Sequence, residues 1–107
     1  MKIALTPHYR YTLSLGFGGE LYELLPGLCE QPAENRVVLA LGRPLLPNNP
    51  IVYATAGTRF PELIVRRYTL DNSLLATVVY KDVRIESVLH HPDFAIDFTF
   101  RQGLVNG

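Results

Sequence analysis

The chain has 107 residues, 48% of them hydrophobic and 19% charged, a composition typical of a single globular domain spanning residues 1–107 rather than of a disordered segment. Ten Lys and Arg residues balance ten Asp and Glu residues. This neutral balance excludes the basic surface that nucleic acid or an acidic membrane would require, so we predict neither as a partner.

The sequence also argues against secreted and membrane-spanning proteins. The single cysteine, Cys29, cannot form a disulfide framework or a cysteine-based zinc cluster within one chain. No apolar run approaches the ~20 residues that cross a membrane, and the apolar run at the start is too short for a signal peptide. We therefore expect a cytoplasmic protein.

Three segments of the first half have strand patterns. Residues 9–17 alternate apolar and polar side chains, which predicts a half-buried strand. Residues 36–41 and 51–55 are continuous apolar runs rich in β-branched residues, which predicts strands that are covered on both faces.

Two other segments of the first half do not have a strand pattern. Four leucines between residues 21 and 28 have helical spacing, but Pro26 would end a helix at about Leu25, after one and a half turns at most. Residues 42–50 contain three prolines and two asparagines, which predicts an irregular loop.

The second half predicts a four-strand antiparallel meander. Its strand-like runs are residues 63–70, 74–80, 83–89 and 94–101. The connections between them, at residues 71–73, 81–82 and 90–93, have hairpin lengths. Hairpins at these positions pair Leu70 with Leu74 and set the remaining pairs by antiparallel counting, which places apolar side chains of all four strands on one face.

These patterns together predict an all-β fold with at most one short helical turn. A meander of short strands needs cover for its apolar face, and the first-half strands can supply that cover. We therefore predict a small antiparallel barrel or sandwich that ends in this C-terminal four-strand meander.

A metal site is one interpretation of the histidines near residue 90. The candidate ligands are His8, Cys29, His90, His91 and Asp93. Their spacing matches no known ligand pattern, and neighbouring residues in a turn point in different directions. Pro92 and Asp93 are typical turn residues, so we predict a hairpin connection here, with neither a metal nor a cofactor.

Two carboxylates oppose each other on the outward face of the predicted meander. The register puts Glu86 directly across from Asp97, with Arg84 on the diagonal. Repulsion at that distance would raise the pKa of one carboxylate and suit it to general acid and base catalysis. The alternative is a solvated surface with compensating arginines, which we favour because nothing else marks a cleft there.

Arg66 is a charged residue on the apolar face of the predicted register. Its guanidinium at a barrel mouth would bind a carboxylate or phosphate group, with hydroxyls from Tyr68, Tyr80 and Ser87 completing the site. In the alternatives, Arg66 extends to solvent at the barrel end, or the strand shifts by one residue and Arg67 faces inward.

The predicted outward face also carries an apolar stripe made of Val65, Leu75, Val79 and Val88. Such a stripe needs cover from another segment or another molecule, and a net charge of zero does not oppose association. We predict a non-enzymatic interaction module that self-associates through sheet edges and this stripe, as a homo-oligomer or with a protein partner. The alternatives are a barrel that binds a small anionic ligand through Arg66, and a small enzyme that uses Arg66 or the Glu86 and Asp97 pair.

Overall fold

The computed structural model describes residues 8–15, 19–45, 55–89 and 95–106. Strands make up most of these four ranges, which contain no helix. The strands are β1 (Arg10–Leu15), β2 (Tyr22–Ala33), β3 (Arg36–Pro44), β4 (Arg59–Tyr68), β5 (Leu74–Leu89), β6 (Ala95–Thr99) and β7 (Gln102–Asn106). The predicted all-β class is confirmed. The short helical turn that the leucine spacing allowed is absent.

All seven strands belong to one antiparallel sheet with the spatial order β4-β1-β2-β3-β6-β5-β7. Strand β5 also pairs with β4, so the sheet closes in part into a ring of six strands. Strand β7 continues along β5 beyond β6. The predicted small antiparallel barrel is therefore confirmed, and strand β5 joins its C-terminal strands.

Strand β1 follows the predicted alternation, but it is buried on both sides. Tyr11 and Leu13 belong to the core, as the apolar positions of the pattern predict. Thr12 and Ser14, at the polar positions, are also fully buried. The half-buried prediction was wrong because hydrogen-bonding side chains from other segments lie over these two hydroxyls.

Strand β2 occupies the segment with the helical leucine spacing. Tyr22 and Leu24 are buried while Glu23 between them is partly exposed, a two-residue period that an extended chain produces. The pairing of β2 with β3 shifts register between Leu24 and Cys29, the stretch that contains Pro26. Since proline has no N–H to give to a sheet, this break in the ladder accommodates it without ending the strand.

Strand β5 is continuous over 16 residues, so the hairpin predicted at residues 81–82 is wrong. Tyr80 and Val83 are both buried although they lie three positions apart, so the inward-facing side chains change from even to odd numbers between them. Asp82 has a positive φ of 54°, an irregularity that shifts the alternation without reversing the chain. A two-residue hairpin would give the same burial pattern, which explains the error.

Strands β4 and β5 are joined by a turn at residues 69–73, two residues longer than predicted. The Thr69 N–H donates to the Ser73 carbonyl at 2.9 Å, and Asn72 adopts a φ of 73° that asparagine tolerates well. The turn closes with Tyr68 opposite Leu74, and a register shift between Arg67 and Tyr68 then places Arg66 opposite Thr77. The predicted register between these two strands is therefore wrong by one residue.

The inside of the ring is one apolar core to which all six ring strands contribute. One buried side chain from each, in chain order, is Leu13, Leu24, Leu39, Leu63, Ile85 and Phe98. The rings of Tyr80 and Phe100 pack with their centroids 4.4 Å apart. Residues 51–54 of one predicted strand and the predicted turn at 90–93 lie outside the described residues.

Candidate functional site

One outward-facing surface, formed by β1, β4, β5 and β7, carries a row of apolar side chains beside an open edge strand. We call this surface the outer face. The register places Ser14 opposite Ile64, Ile64 opposite Val79, and Val79 opposite Leu104. Chain neighbours such as Leu63 point into the core, so these side chains point outward. Directly opposed side chains lie about 4.5–5.5 Å apart at Cβ, so Ile64, Val79 and Leu104 form a continuous apolar row across three strands.

Polar side chains flank the apolar row on both sides. Arg66 lies opposite Thr77 on one side. Glu62 lies opposite Lys81 on the other side, and their side chains form an ion pair. Leu104 is 43% exposed. An apolar centre with a polar rim is the usual composition of a protein–protein interface.

Strand β7 forms an open edge of the outer face. It pairs with β5 on one side, and no strand in the described ranges pairs with its other side. Its residues, 102–106, include no charge and no proline, two devices by which proteins commonly block an exposed edge. The backbone of β7 can therefore accept a further strand.

A hydrogen-bonded cluster covers the β1 side of the outer face. Glu20 accepts a hydrogen bond from the Thr12 hydroxyl at 2.8 Å and another from the Tyr68 hydroxyl. The Arg10 guanidinium lies 4.7 Å from the centroid of the Tyr68 ring. Burial, together with the bond to Glu20, raises the pKa of Tyr68, so its hydroxyl remains a protonated donor at neutral pH.

Arg66 lies on the outer face and not on the apolar inner face where the predicted register placed it. Its Nη1 donates a hydrogen bond of 2.8 Å to the Ser14 hydroxyl. Arg67 takes the inward-facing position, and its guanidinium lies 4.9 Å from the centroid of the Tyr9 ring, which packs against the core. The longer β4–β5 turn and the register shift between Arg67 and Tyr68 together produce this register, which is the alternative with a one-residue shift.

Two of the other three predicted ligand-binding residues, Tyr80 and Ser87, do not lie beside Arg66 on its side of the sheet. Tyr68 lies two residues along β4 and shares its side of the sheet. Tyr80 is 1% exposed in the core. Ser87 lies opposite Asp97, and its hydroxyl is 3.4 Å from that carboxylate. A ligand-binding role for Arg66 and Tyr68 stays a prediction.

Two of the four residues of the predicted apolar stripe are at the surface. Leu75 is 38% exposed, and Val79 is part of the apolar row. Val65 is buried in the core and Val88 packs against it, so their predicted outward positions were wrong. The register error at the β4–β5 turn accounts for Val65, and a register shift between β5 and β6 accounts for Val88.

Sequence reasoning missed two members of the apolar row. The predicted register placed Ile64 on the inner face. Leu104 belongs to β7, a strand that was not predicted because the short apolar pair Leu104 and Val105 has no usable period. A correct register for the β4–β5 pair is the signal that would have revealed Ile64.

Asp97 does not face Glu86 as predicted. The register of β5 and β6 shifts by one residue, which places Asp97 opposite Ser87. Asp97 is almost fully buried and accepts three hydrogen bonds from Arg36, the shortest of 2.5 Å.

Glu86 has a separate set of partners. It accepts hydrogen bonds from the Arg84 guanidinium and from the Thr99 hydroxyl at 3.1 Å. These bonds, the one from Arg84 first, hold the pKa of Glu86 below its ordinary value. The predicted repulsion would have raised a carboxylate pKa, so the described geometry does not favour an acid–base pair.

No group of three or more potential metal ligands occurs within the four described ranges. His8 is exposed. His90, His91 and Asp93 lie outside the described residues, as does the side chain of Cys29.

The fold and the outer face together define a small antiparallel β-barrel with an open edge strand beside an apolar row. The crystal structure of Hcp1 from Salmonella typhimurium has a similar fold, with a TM-score of 0.60, 92% of each chain covered and 11% sequence identity. At this identity the similarity concerns the fold alone. Protein-family models give no match, and no curated protein matches the sequence. Within the part of the chain that the structure describes, no helix has the length and apolarity needed to cross a membrane.

Proposed function

We propose that the chain is a non-enzymatic interaction module that self-associates through the edge of β7 and the apolar row. The observation that carries the proposal is that Leu104 belongs to both features. A strand added to β7 would extend the sheet through backbone hydrogen bonds and bring its own side chains beside Leu104.

Both features can supply the free energy that association needs. Burial of apolar surface contributes about 25 cal/mol per Å², and a partner over the row would bury the exposed part of Leu104 together with Val79 and Ile64. The flanking polar residues would stay at the rim, where they contribute more to specificity than to affinity. The chain has no net charge that would keep copies apart.

The symmetry of the pairing determines the size of the assembly. If β7 of one copy pairs with β7 of a second copy in antiparallel orientation, the contact is two-fold symmetric and stops at a dimer. If β7 pairs with a different part of the second copy, the contact repeats and gives a ring or an open chain. The solution mass distinguishes these two arrangements.

Light scattering across a concentration series tests the proposal with two matched variants. We expect the mass of the natural sequence to rise with concentration, and Leu104→Lys to remain monomeric because the interface would desolvate its charge. Leu89→Lys is the control, since Leu89 is 45% exposed and lies at the end of β5 that pairs with β6. A strictly monomeric natural sequence, or an equal loss of assembly in both variants, would contradict the proposal.

Amide hydrogen exchange tests the edge itself. Assembly through β7 should slow the exchange of amides within residues 102–106 at high protein concentration and leave those of β3 unchanged. Slower exchange spread evenly over the whole sheet would indicate general stabilisation and not pairing at this edge.

A further inference from the structure

A cavity of about 270 Å³ lies where the beginning of β4, the irregular part of β5 and the end of β6 meet. Its polar lining includes Asn35, Arg59, Asp82, Arg84, Thr99 and Arg101. Three of these side chains are positively charged and one is negatively charged, although the whole chain is neutral. We call it the arginine cavity.

Two of the three arginines oppose each other directly in the sheet. Arg59 of β4 is paired with Arg84 of β5, and like charges in this position repel and destabilise the pairing. Arg84 has Glu86 as a partner, and Arg101 lies 3.7 Å from Asp82. Arg59 has no ion-pair partner among the residues of the described ranges. An anion between Arg59 and Arg84 would replace this repulsion with attraction.

We propose that the arginine cavity binds a phosphate group, either free or carried by a small ligand. A guanidinium donates two parallel hydrogen bonds to phosphate oxygens, and a tetrahedral phosphate group has enough oxygens to accept from both Arg59 and Arg84. The cavity is smaller than the roughly 300–1,000 Å³ of pockets that enclose whole ligands. It therefore suits a phosphate head group, with the rest of the ligand in solvent.

Titration with inorganic phosphate at constant ionic strength tests this proposal. Chloride at the same ionic strength supplies equal screening without bidentate geometry and is the reference. We expect saturable amide shifts in NMR spectra around Arg59, Arg84 and Arg101. A phosphomonoester such as phosphoserine should produce the same shifts if the head group alone is recognised.

Variants identify the residues that bind. Arg59→Gln should weaken phosphate binding by about tenfold or more, because it removes a charge-assisted pair of hydrogen bonds. Arg43→Gln is the control, since Arg43 is an exposed arginine outside the arginine cavity and the substitution removes the same charge. Equal weakening in the two variants would show a general charge effect and overturn the proposal.

Thermal stability provides a second test, because the difference in melting temperature between Arg59→Gln and the natural sequence should change sign when phosphate is added. Without phosphate and at low ionic strength, Arg59→Gln should melt at a higher temperature than the natural sequence, because it removes the repulsion with Arg84. At a phosphate concentration that saturates the natural sequence, the natural sequence should gain clearly more stability than the variant, whose affinity is lower. Identical responses to phosphate and chloride would overturn the proposal, as would saturable binding of acetate in preference to phosphate. These measurements do not depend on self-association, so the two proposals can fail separately.

Discussion

Arg36 of β3 and Asp97 of β6 form an ion pair in which the carboxylate is nearly inaccessible to solvent. The Asp97 side chain is 5% exposed and the Arg36 side chain 44%, with 2.5 Å between Arg36 Nη2 and Asp97 Oδ2. A carboxylate with so little access to water needs hydrogen-bond donors from the protein in place of the water molecules that it lost on folding. The pair therefore links two strands of the ring, and Arg36 supplies the charged donor to a carboxylate that has almost no contact with water.

Replacement of Arg36 should destabilise the fold more than replacement of other partly exposed residues usually does. We expect Arg36→Met to lower the free energy of unfolding clearly more than the removal of an exposed salt bridge does, because it leaves the buried Asp97 carboxylate without its charged donor. Urea denaturation measures the change. Arg43→Met removes a salt bridge between exposed groups and should change stability by about 0.5 kcal/mol at most. Similar losses in both variants would show that the buried carboxylate is not the cause.

Glu86 should make stability depend on pH in the acid range. The hydrogen bonds from Arg84 and Thr99 lower the pKa of Glu86 in the folded state. A carboxylate with a lowered folded pKa stabilises the fold above its unfolded pKa, about 4.3, and this contribution is lost as the pH falls through the folded pKa. We expect Glu86→Gln to be less stable than the natural sequence at pH 7 and to lose less stability on acidification. Urea denaturation midpoints measured from pH 7 to pH 3 check this expectation. Parallel curves of midpoint against pH for the two proteins would contradict it.

Asp82 should respond to substitution through its backbone conformation. Its φ of 54° costs a residue with a β-carbon roughly 1–2 kcal/mol, less for aspartate, and costs glycine nothing. We expect Asp82→Gly to preserve or raise stability and Asp82→Val to lower it by about 1–2 kcal/mol. The exposed contact with Arg101 is too weak to reverse this order. Thermal melts in which the glycine and valine variants were equal would contradict it.

Arg66 and Ser14 should be energetically coupled. Ser14 is fully buried, and Arg66 donates to its hydroxyl at 2.8 Å. We expect Arg66→Met and Ser14→Ala to destabilise the protein and their double-mutant cycle to give a coupling of about 1 kcal/mol. A coupling near zero would contradict a stabilising Arg66–Ser14 bond, whereas loss of anion binding in Arg66→Met would support the ligand-binding role that the predicted register gave to Arg66.

The inward-facing positions in the middle of β5, Tyr80, Val83 and Ile85, could be predicted from the sequence because they depend only on spacing. Tyr80 and Val83 are both buried although they lie three positions apart, so the inward-facing side chains must change from even to odd numbers between them. A hairpin at residues 81–82 and an irregular continuous strand both meet this requirement. The choice between a hairpin and an irregular continuous strand depends on contacts with β4 and β7, which spacing does not reveal.

The position of Arg66 could not be predicted because it depends on the length of one turn and on an irregularity beside that turn. Side-chain and backbone bonds within residues 69–73 extend the loop, and a register shift between Arg67 and Tyr68 makes the net change one residue. In a sheet such a shift moves every side chain to the opposite face. The arginine cavity could not be predicted from the sequence either. Arg59, Arg84 and Arg101 come together only when the β4–β5 and β5–β6 registers are both known.

The strand order also has a consequence for how the ring forms. Strands β1, β2 and β3 pair with their chain neighbours, and so do β4, β5 and β6. Two seams, β1 with β4 and β3 with β6, join these halves and connect residues that lie from 48 positions (Leu15 to Leu63) to 63 positions (Arg36 to Thr99) apart.

Long loops must lose their entropy before such pairs form, so we expect each half to fold as a local unit and the seams to close last. The Arg36 and Asp97 pair lies in one of these seams. Asp97, the least exposed carboxylate among the described ion pairs, thus stabilises the pairing of β3 with β6, which closes a long loop and costs much chain entropy.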